Sequence, residues 1–281
     1  MKLEKETSER SERRNPIMPM LEKNNYYLVN FEGFTIKDKK VTSVLDKYLV
    51  KNIDISKCNE KDILTSIIGV EGSHTWNEKI EISKFLNVPF FIVLYSYPIT
   101  KIYVYKLSED KKLRLELIIN SIKEFADWIF TFRDMVMSSP YEESDLPNFD
   151  KELRKIRKPW PGNLDCVLCK ESRGIIAVIE FQTTIRKSVK NHCNNDFFLP
   201  TMYRKGDEQR WLVMDIISRQ LKKPLIILVW SPNKYDNDIK IKKVDHISYS
   251  WDKTKEKPGL YYSVKEIIKL DEVPGAIEKV I

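Results

Sequence analysis

The sequence predicts a mixed α/β protein of two domains, on three observations. Its 281 residues, 42% of them hydrophobic, are enough to fill two ordinary cores. Short apolar runs such as "YYLVNF", "PFFIVLY" and "KIYVYKL" alternate with segments of helical periodicity. An acidic stretch with two prolines, "SSPYEESDLPNF", breaks the pattern near the middle and reads as a linker or surface loop.

Taken in order, residues 1–20 are charged, poor in apolar side chains and carry Pro16 and Pro19, which predicts a mobile charged arm. Residues 24–108 form the first α/β domain, with strands at the three apolar runs and a helix from Trp76 to Leu86. The second domain spans 111–281. It opens with "KKLRLELIINSIKEFADWIFTFRDMVM", where Leu115, Ile118, Ile119, Ile122, Phe125, Ala126 and Ile129 fall on one face at helical spacing, predicting a helix over 111–137. Strands at Leu164–Leu168 and Ile175–Gln182 follow, then a helix at Glu208–Leu221 and strands at Leu225–Trp230 and Ile239–Val244.

One internal echo stands out. Trp76–Pro98, "WNEKIEISKFLNVPFFIVLYSYP", matches "WLVMDIISRQLKKPLIILVWSPN" in step, with Trp, Leu, Pro and Ser recurring at one offset. Either this is an ordinary helix, loop and buried strand used twice, or the first domain is a degenerate repeat of the second. The first half shows no strand with a matching pair of carboxylates, so on the second reading its chemistry is lost.

The chemistry concentrates in "NLDCVLCKESRGIIAVIEFQT". Asp165 and Glu180 lie inside two of the most apolar segments of the chain, and a buried carboxylate is costly unless a cation or proton pairs with it. Side chains alternate along a strand, so Glu180 and Gln182 share one face while Ile179 and Phe181 point into the core. The turn "KESRG" folds the two strands into an antiparallel hairpin, which sets Asp165 beside Glu180. Two carboxylates held that close share a proton or a divalent ion, and an all-oxygen site of few protein ligands suits Mg²⁺. The bland alternative is a surface hairpin with two solvated acids.

"PGNLDCVL" followed by "IIAVIEFQ", set between helical segments, resembles the PD-(D/E)xK nuclease superfamily, in a branch with Gln182 at the place of the motif lysine. The resemblance covers about residues 111–245. It implies a restriction-endonuclease-like mixed sheet flanked by helices, and Mg²⁺- or Mn²⁺-dependent hydrolysis of DNA phosphodiesters, as in restriction, phage defence or mobile-element biology. The metal ligands it implies are Asp165, Glu180 and the backbone carbonyl of Phe181. Gln182 is the third catalytic position, where an amide orients water or phosphate but takes no proton. The competing reading is a nuclease-fold module that has lost catalysis and binds nucleic acid or a protein partner.

Charge agrees with an anionic partner. The chain carries 48 Lys and Arg against 41 Asp and Glu, a net +7, and the excess lies around the carboxylates: residues 151–223 hold 16 basic and 8 acidic side chains, whereas 24–110 hold 11 of each. Arg186, Lys187, Lys190, Arg204, Lys205 and Arg210 are the candidate phosphate contacts. Glu116 and Glu124 are weak candidates to complete the metal shell. Cys166, Cys169, His192 and Cys193 offer a zinc set, but "CVLC" lacks a glycine turn and reads better as a strand with small apolar cysteines. No apolar run reaches the roughly 18 residues of a membrane helix, and four cysteines form no disulfide framework, so a cytoplasmic location is expected. A single metal site per chain favours a homodimer on duplex DNA, and the first domain is expected to serve recognition or assembly.

Overall fold

The computed structural model describes the whole chain apart from residues 7–14, 52, 135–145, 163, 172, 185–187, 194–197, 200–206, 234–235 and 253–255. In chain order its elements are β1 (Lys2–Glu4), α1 (Ile17–Lys23), β2 (Tyr26–Val29), β3 (Gly33–Lys37), β4 (Lys40–Lys51), α2 (Glu60–Glu71), α3 (Ser73–Leu86), β5 (Phe90–Tyr95), β6 (Ile102–Leu107) and β7 (Leu113–Ile119). There follow α4 (Ile122–Phe130), α5 (Asn148–Lys155), β8 (Cys166–Lys170), β9 (Gly174–Thr183), α6 (Glu208–Leu221), β10 (Leu225–Trp230), β11 (Asp238–Ser248), β12 (Gly259–Lys269) and α7 (Val273–Val280). The chain is mixed α/β, as its apolar pattern predicts. No described helix is long and apolar enough to cross a membrane.

The chain divides into two units. Unit 1 takes Met1–Glu12, Phe31–Met137 and Tyr141–Asn163; unit 2 takes Arg13–Asn30, Ser138–Pro140 and Leu164–Ile281. The expected boundary near residue 110 is therefore displaced, because the segment after it completes the first sheet. Residues 1–20 are not wholly an arm either. Leu3 of β1 is buried against β4, and Ile17 of α1, with its neighbour Leu21, is fully buried in unit 2.

The helix expected over 111–137 is a strand followed by a helix. Lys111 adopts a left-handed φ of 61°, Ser108 N donates to Lys112 O at 2.8 Å, and the chain reverses into β7 antiparallel to β6. "LRLELII" satisfies period two as well as it satisfies the helical period, and pairing with β6 selects the strand. Ser121 then caps α4, its hydroxyl accepting from Glu124 N at 3.2 Å.

Within unit 1, β4 pairs antiparallel with β3 and parallel with β5; β5, β6 and β7 continue antiparallel. Within unit 2, β9 pairs antiparallel with β8 and parallel with β10; β10, β11 and β12 continue antiparallel, and β2 borders β8. Apart from β1, which pairs antiparallel with β4, and β2, which has no counterpart in unit 1, the two orders are the same. In each unit a helix of 14 residues, α3 or α6, enters a strand of six residues, β5 or β10, through a left-handed cap: Asn87 at φ 54°, ψ 48° and Lys222 at φ 53°, ψ 41°. Each sheet packs one face on the helix after its last strand. Leu45, Phe91 and Val93 meet Phe125 and Ile129 of α4, and Ile179, Ile226 and Leu228 meet Ile277 and Val280 of α7.

The echo between Trp76 and Trp211 thus extends to five paired strands of each sheet, β3–β7 and β8–β12. Register aligns the units residue by residue: Val44 faces Phe90 as Val178 faces Leu225, and Gly33 faces Leu45 as Cys166 faces Ile179. Asp46 then corresponds to Glu180, Tyr48 to Gln182, and Glu32 to Asp165. The positions are matched but the pairing is not: Glu32 Oε2 pairs with Lys47 at 2.8 Å and Asp46 Oδ2 with Lys79 at 2.6 Å, while Asp46 Oδ1 accepts from the Glu32 backbone N. Glu32 lies outside its strand and Asp46 sits in the long "KVTSVLDKYLVK" beside Lys47, so neither stands out in an apolar run.

Left-handed geometry at a side-chain-bearing residue costs about 1 kcal/mol that glycine avoids. Lys222→Gly is expected to raise unfolding stability by up to about 1 kcal/mol in urea titration; a loss of stability would contradict the cap geometry.

Candidate functional site

The site is built on the central strand of unit 2. β9 has β8 on one side and β10 on the other, so Glu180, opposite Ile227, is enclosed and only 1% exposed. Gly174 turns the β8–β9 hairpin at φ 63°, a conformation that a Cβ would strain. Asp165 stands just before β8. Its Oδ2 accepts from the Phe181 backbone N at 2.6 Å, which fixes the carboxylate beside Glu180, with 30% of its side chain still exposed. The pairing inferred from the hairpin is present.

A cation is already there. Arg210, the third residue of α6, sets Nη2 at 2.7 Å from Glu180 Oε1 and 2.9 Å from Oε2, and at 3.9 Å from Asp165 Oδ1. The first turn of α6 is tied down on both sides. Trp211 Nε1 donates to Asp207 Oδ1 at 3.2 Å, and Ser250 Oγ donates to Glu208 Oε2 at 2.8 Å. Arg210 was expected among the phosphate contacts; its structural partner is Glu180. Sequence spacing could not reveal this, since the pair is 30 residues apart and its geometry depends on the α6 crossing.

Burial raises the Glu180 pKa to about 8, against the opposing charge of Arg210 and with help from Asp165, with which it shares a hydrogen bond. Asp165 is also raised, by burial first, with Arg210 and the Phe181 N–H working the other way. Burial similarly lifts Asp207 to about 6. The pair therefore holds a proton over much of the neutral range.

Of the other expected residues, Gln182 lies on the same strand face as Glu180 and is half-buried. Lys190 is exposed in a short 3₁₀ turn, Val189–Asn191, whose carbonyl at Lys190 accepts from Lys240 Nζ at 2.6 Å. Arg186, Lys187, Arg204 and Lys205 lie outside the described residues. Glu116 and Glu124 belong to β7 and α4 of unit 1 and are not near neighbours of the pair in sequence or sheet. Cys166 and Cys169 are buried in β8, and among the described residues no three His, Cys, Asp or Glu side chains converge as a metal cluster. The sequence reading missed Lys240 and Lys242, buried on β11. Their register opposite Val229 and Ile227 puts them on the strand face that carries Gln182 and Glu180.

A raised carboxyl pKa contributes stability that is complete below the ordinary value of 4.5 and lost as pH rises to about 8. Wild type in chelator should therefore lose on the order of a few kcal/mol over that window relative to Glu180→Gln, read by urea unfolding at stepped pH. Parallel pH profiles for the two chains would remove the shifted proton from the account.

No family model matches the chain, and no curated protein matches it. Among solved structures the chain is similar to "Crystal structure of Sex pheromone staph-cAM373 precursor", at 10% identity over 90% of this chain and 92% of that one, with a TM-score of 0.14, a value too low to carry any argument about fold or function.

Proposed function

We propose that unit 2 is a restriction-endonuclease-like nuclease unit that hydrolyses DNA phosphodiesters with Mg²⁺ or Mn²⁺. One observation carries the reading: Asp165 is locked by the Phe181 N–H beside Glu180, so two carboxylates converge on a single cation at the rim of a parallel strand pair. The donor chemistry fits a hard divalent ion, with Asp165, Glu180 and the Phe181 carbonyl as its oxygen ligands. It fits on one condition, that Arg210 withdraws from Glu180, since its guanidinium stands at the same oxygens. Once bound, the ion would polarise the phosphate and lower the pKa of a bound water.

The chain's own residues have distinct tasks in this reading. Arg210, released from Glu180, pairs with phosphate oxygens through its planar fork. Gln182 orients water or phosphate by hydrogen bonds and carries no proton. The excess of basic residues over 151–223 draws a polyanion towards unit 2. With one such solvent-facing pair per chain among the described residues, cutting both strands of a duplex calls for two chains acting together, and unit 1 serves recognition or assembly.

A second reading has its own observation. The Glu180–Arg210 ion pair already occupies the Glu180 oxygens, which suits a module that keeps the fold, binds nucleic acid or a protein partner, and does no chemistry. Incubation of the pure protein with plasmid and Mg²⁺ or Mn²⁺ separates the two. Nicked or linear product from wild type, reduced to background in Asp165→Ala and Glu180→Ala, is the expected result. Cleavage persisting in both variants refutes the nuclease reading, and intact plasmid with retained binding supports the second.

A further inference from the structure

Arg210 and a divalent ion cannot hold the same carboxylate oxygens together. Arg210 Nη2 stands 2.7 Å from Glu180 Oε1, 2.9 Å from Oε2 and 3.9 Å from Asp165 Oδ1, so an ion at those atoms would meet a like charge at contact distance. The guanidinium has to move. Arg210 is the third residue of α6, and the N–H groups of a first helical turn disfavour a cation. Away from Glu180 it therefore needs another acid close by.

Asp207 meets that need. It is the N-cap of α6, yet its side chain makes no capping bond, although an aspartate at this position ordinarily caps. Its Oδ1 instead accepts at 3.2 Å from Nε1 of Trp211, a side chain only 1% exposed, so the carboxylate is held by a fixed donor. The backbone carbonyl of Asp207 accepts from Arg210 N at 2.8 Å and from Trp211 N at 3.1 Å, which places Arg210 one turn further along. Side chains three residues apart on a helix have Cβ atoms about 5–6 Å from each other, a gap that an arginine spans with the helix unmoved. A carboxylate has about four acceptor sites, so the Trp211 contact leaves Asp207 able to take a guanidinium as well. Burial lifts the Asp207 pKa to about 6, and the charge of Arg210 is the largest influence opposing it, so the two groups already interact.

We propose that Asp207 is a positioning residue, the second seat of Arg210: when a divalent ion binds at Asp165 and Glu180, Arg210 leaves Glu180 and Asp207 receives its guanidinium in the first turn of α6. This deepens the nuclease reading and rests on it. Neither charge is left unpaired in the exchange, and the seated guanidinium stays at the mouth of the site, where an incoming phosphate can take it over.

The test measures metal binding in the full chain without DNA. Asp207→Asn keeps the side-chain size and an acceptor for Trp211 and removes only the charge. Mn²⁺ affinity is read from the EPR signal of the free ion for wild type, Asp207→Asn, Arg210→Gln and the double variant. Asp207→Asn is expected to weaken binding about tenfold when Arg210 is present, and less than about twofold in the Arg210→Gln background, where there is no guanidinium to seat. An equal loss in both backgrounds makes Asp207 a plain electrostatic aid and overturns the proposal. If Arg210→Gln fails to fold, the arginine Nε–Hε NMR signals of wild type and Asp207→Asn decide. Mg²⁺ should move one ordered signal to a new ordered position in wild type and to the averaged position of solvated arginines in Asp207→Asn, and the same response in both chains overturns the seat. Binding by wild type with no loss in Asp207→Asn, or binding by the Arg210→Gln chain alone, removes the seat and leaves the metal site standing. Absence of Mn²⁺ binding in all four chains removes both.

Discussion

A carboxylate enclosed on the central strand of a sheet must be given a positive partner or a proton, and both units are organised around that need. Glu180 in β9 and Asp46 in β4 occupy the same register position, flanked by an antiparallel strand on one side and a parallel strand on the other. Neither can reach bulk water past its neighbours, so the cation has to come from the helix that crosses the same face. The length of α3 and α6, their left-handed caps and the short entry into β5 and β10 are the parts that hold those helices at the distance a lysine or arginine can span.

The two units meet the need differently, and the difference bears on function. In unit 1 the cluster is closed: Asp46 and Lys79 have no exposed surface, and Glu32, Lys47 and Asp150 extend the network. In unit 2 the cluster opens to solvent through Asp165, and one guanidinium serves two carboxyl groups whose affinity for a proton is raised by burial. A partly open, under-compensated pair is suited to exchange its partner, whereas a sealed one is suited to hold the sheet together.

Much of unit 2 was legible from the sequence because its signals are local. The runs at Leu164–Leu168 and Ile175–Gln182 are apolar and short, and the acids inside them, Asp165 and Glu180, are conspicuous against that background. The helix from Glu208 to Leu221 matches its observed limits. What was hidden depends on contacts distant in sequence. "LRLELII" fits two periods, and only its pairing with β6 makes it a strand. Glu32 and Asp46 are ordinary surface-like letters until the β3–β4 and β4–β5 registers align them with Asp165 and Glu180. The role of Arg210 emerges only when α6 lies across β9, and the chain boundaries between units follow strands that pair with elements far along the chain, as β2 does with β8.

The central claim is that the Glu180–Arg210 pair is what makes the buried acid tolerable in metal-free protein. A double-mutant cycle with Glu180→Gln and Arg210→Met, measured by urea unfolding in chelator at about pH 9 where both groups are charged, tests it most directly. The account predicts a coupling of about 2 kcal/mol or more, with Arg210→Met alone strongly destabilising and the double variant recovering much of the loss. Additive effects within about 0.5 kcal/mol would contradict it.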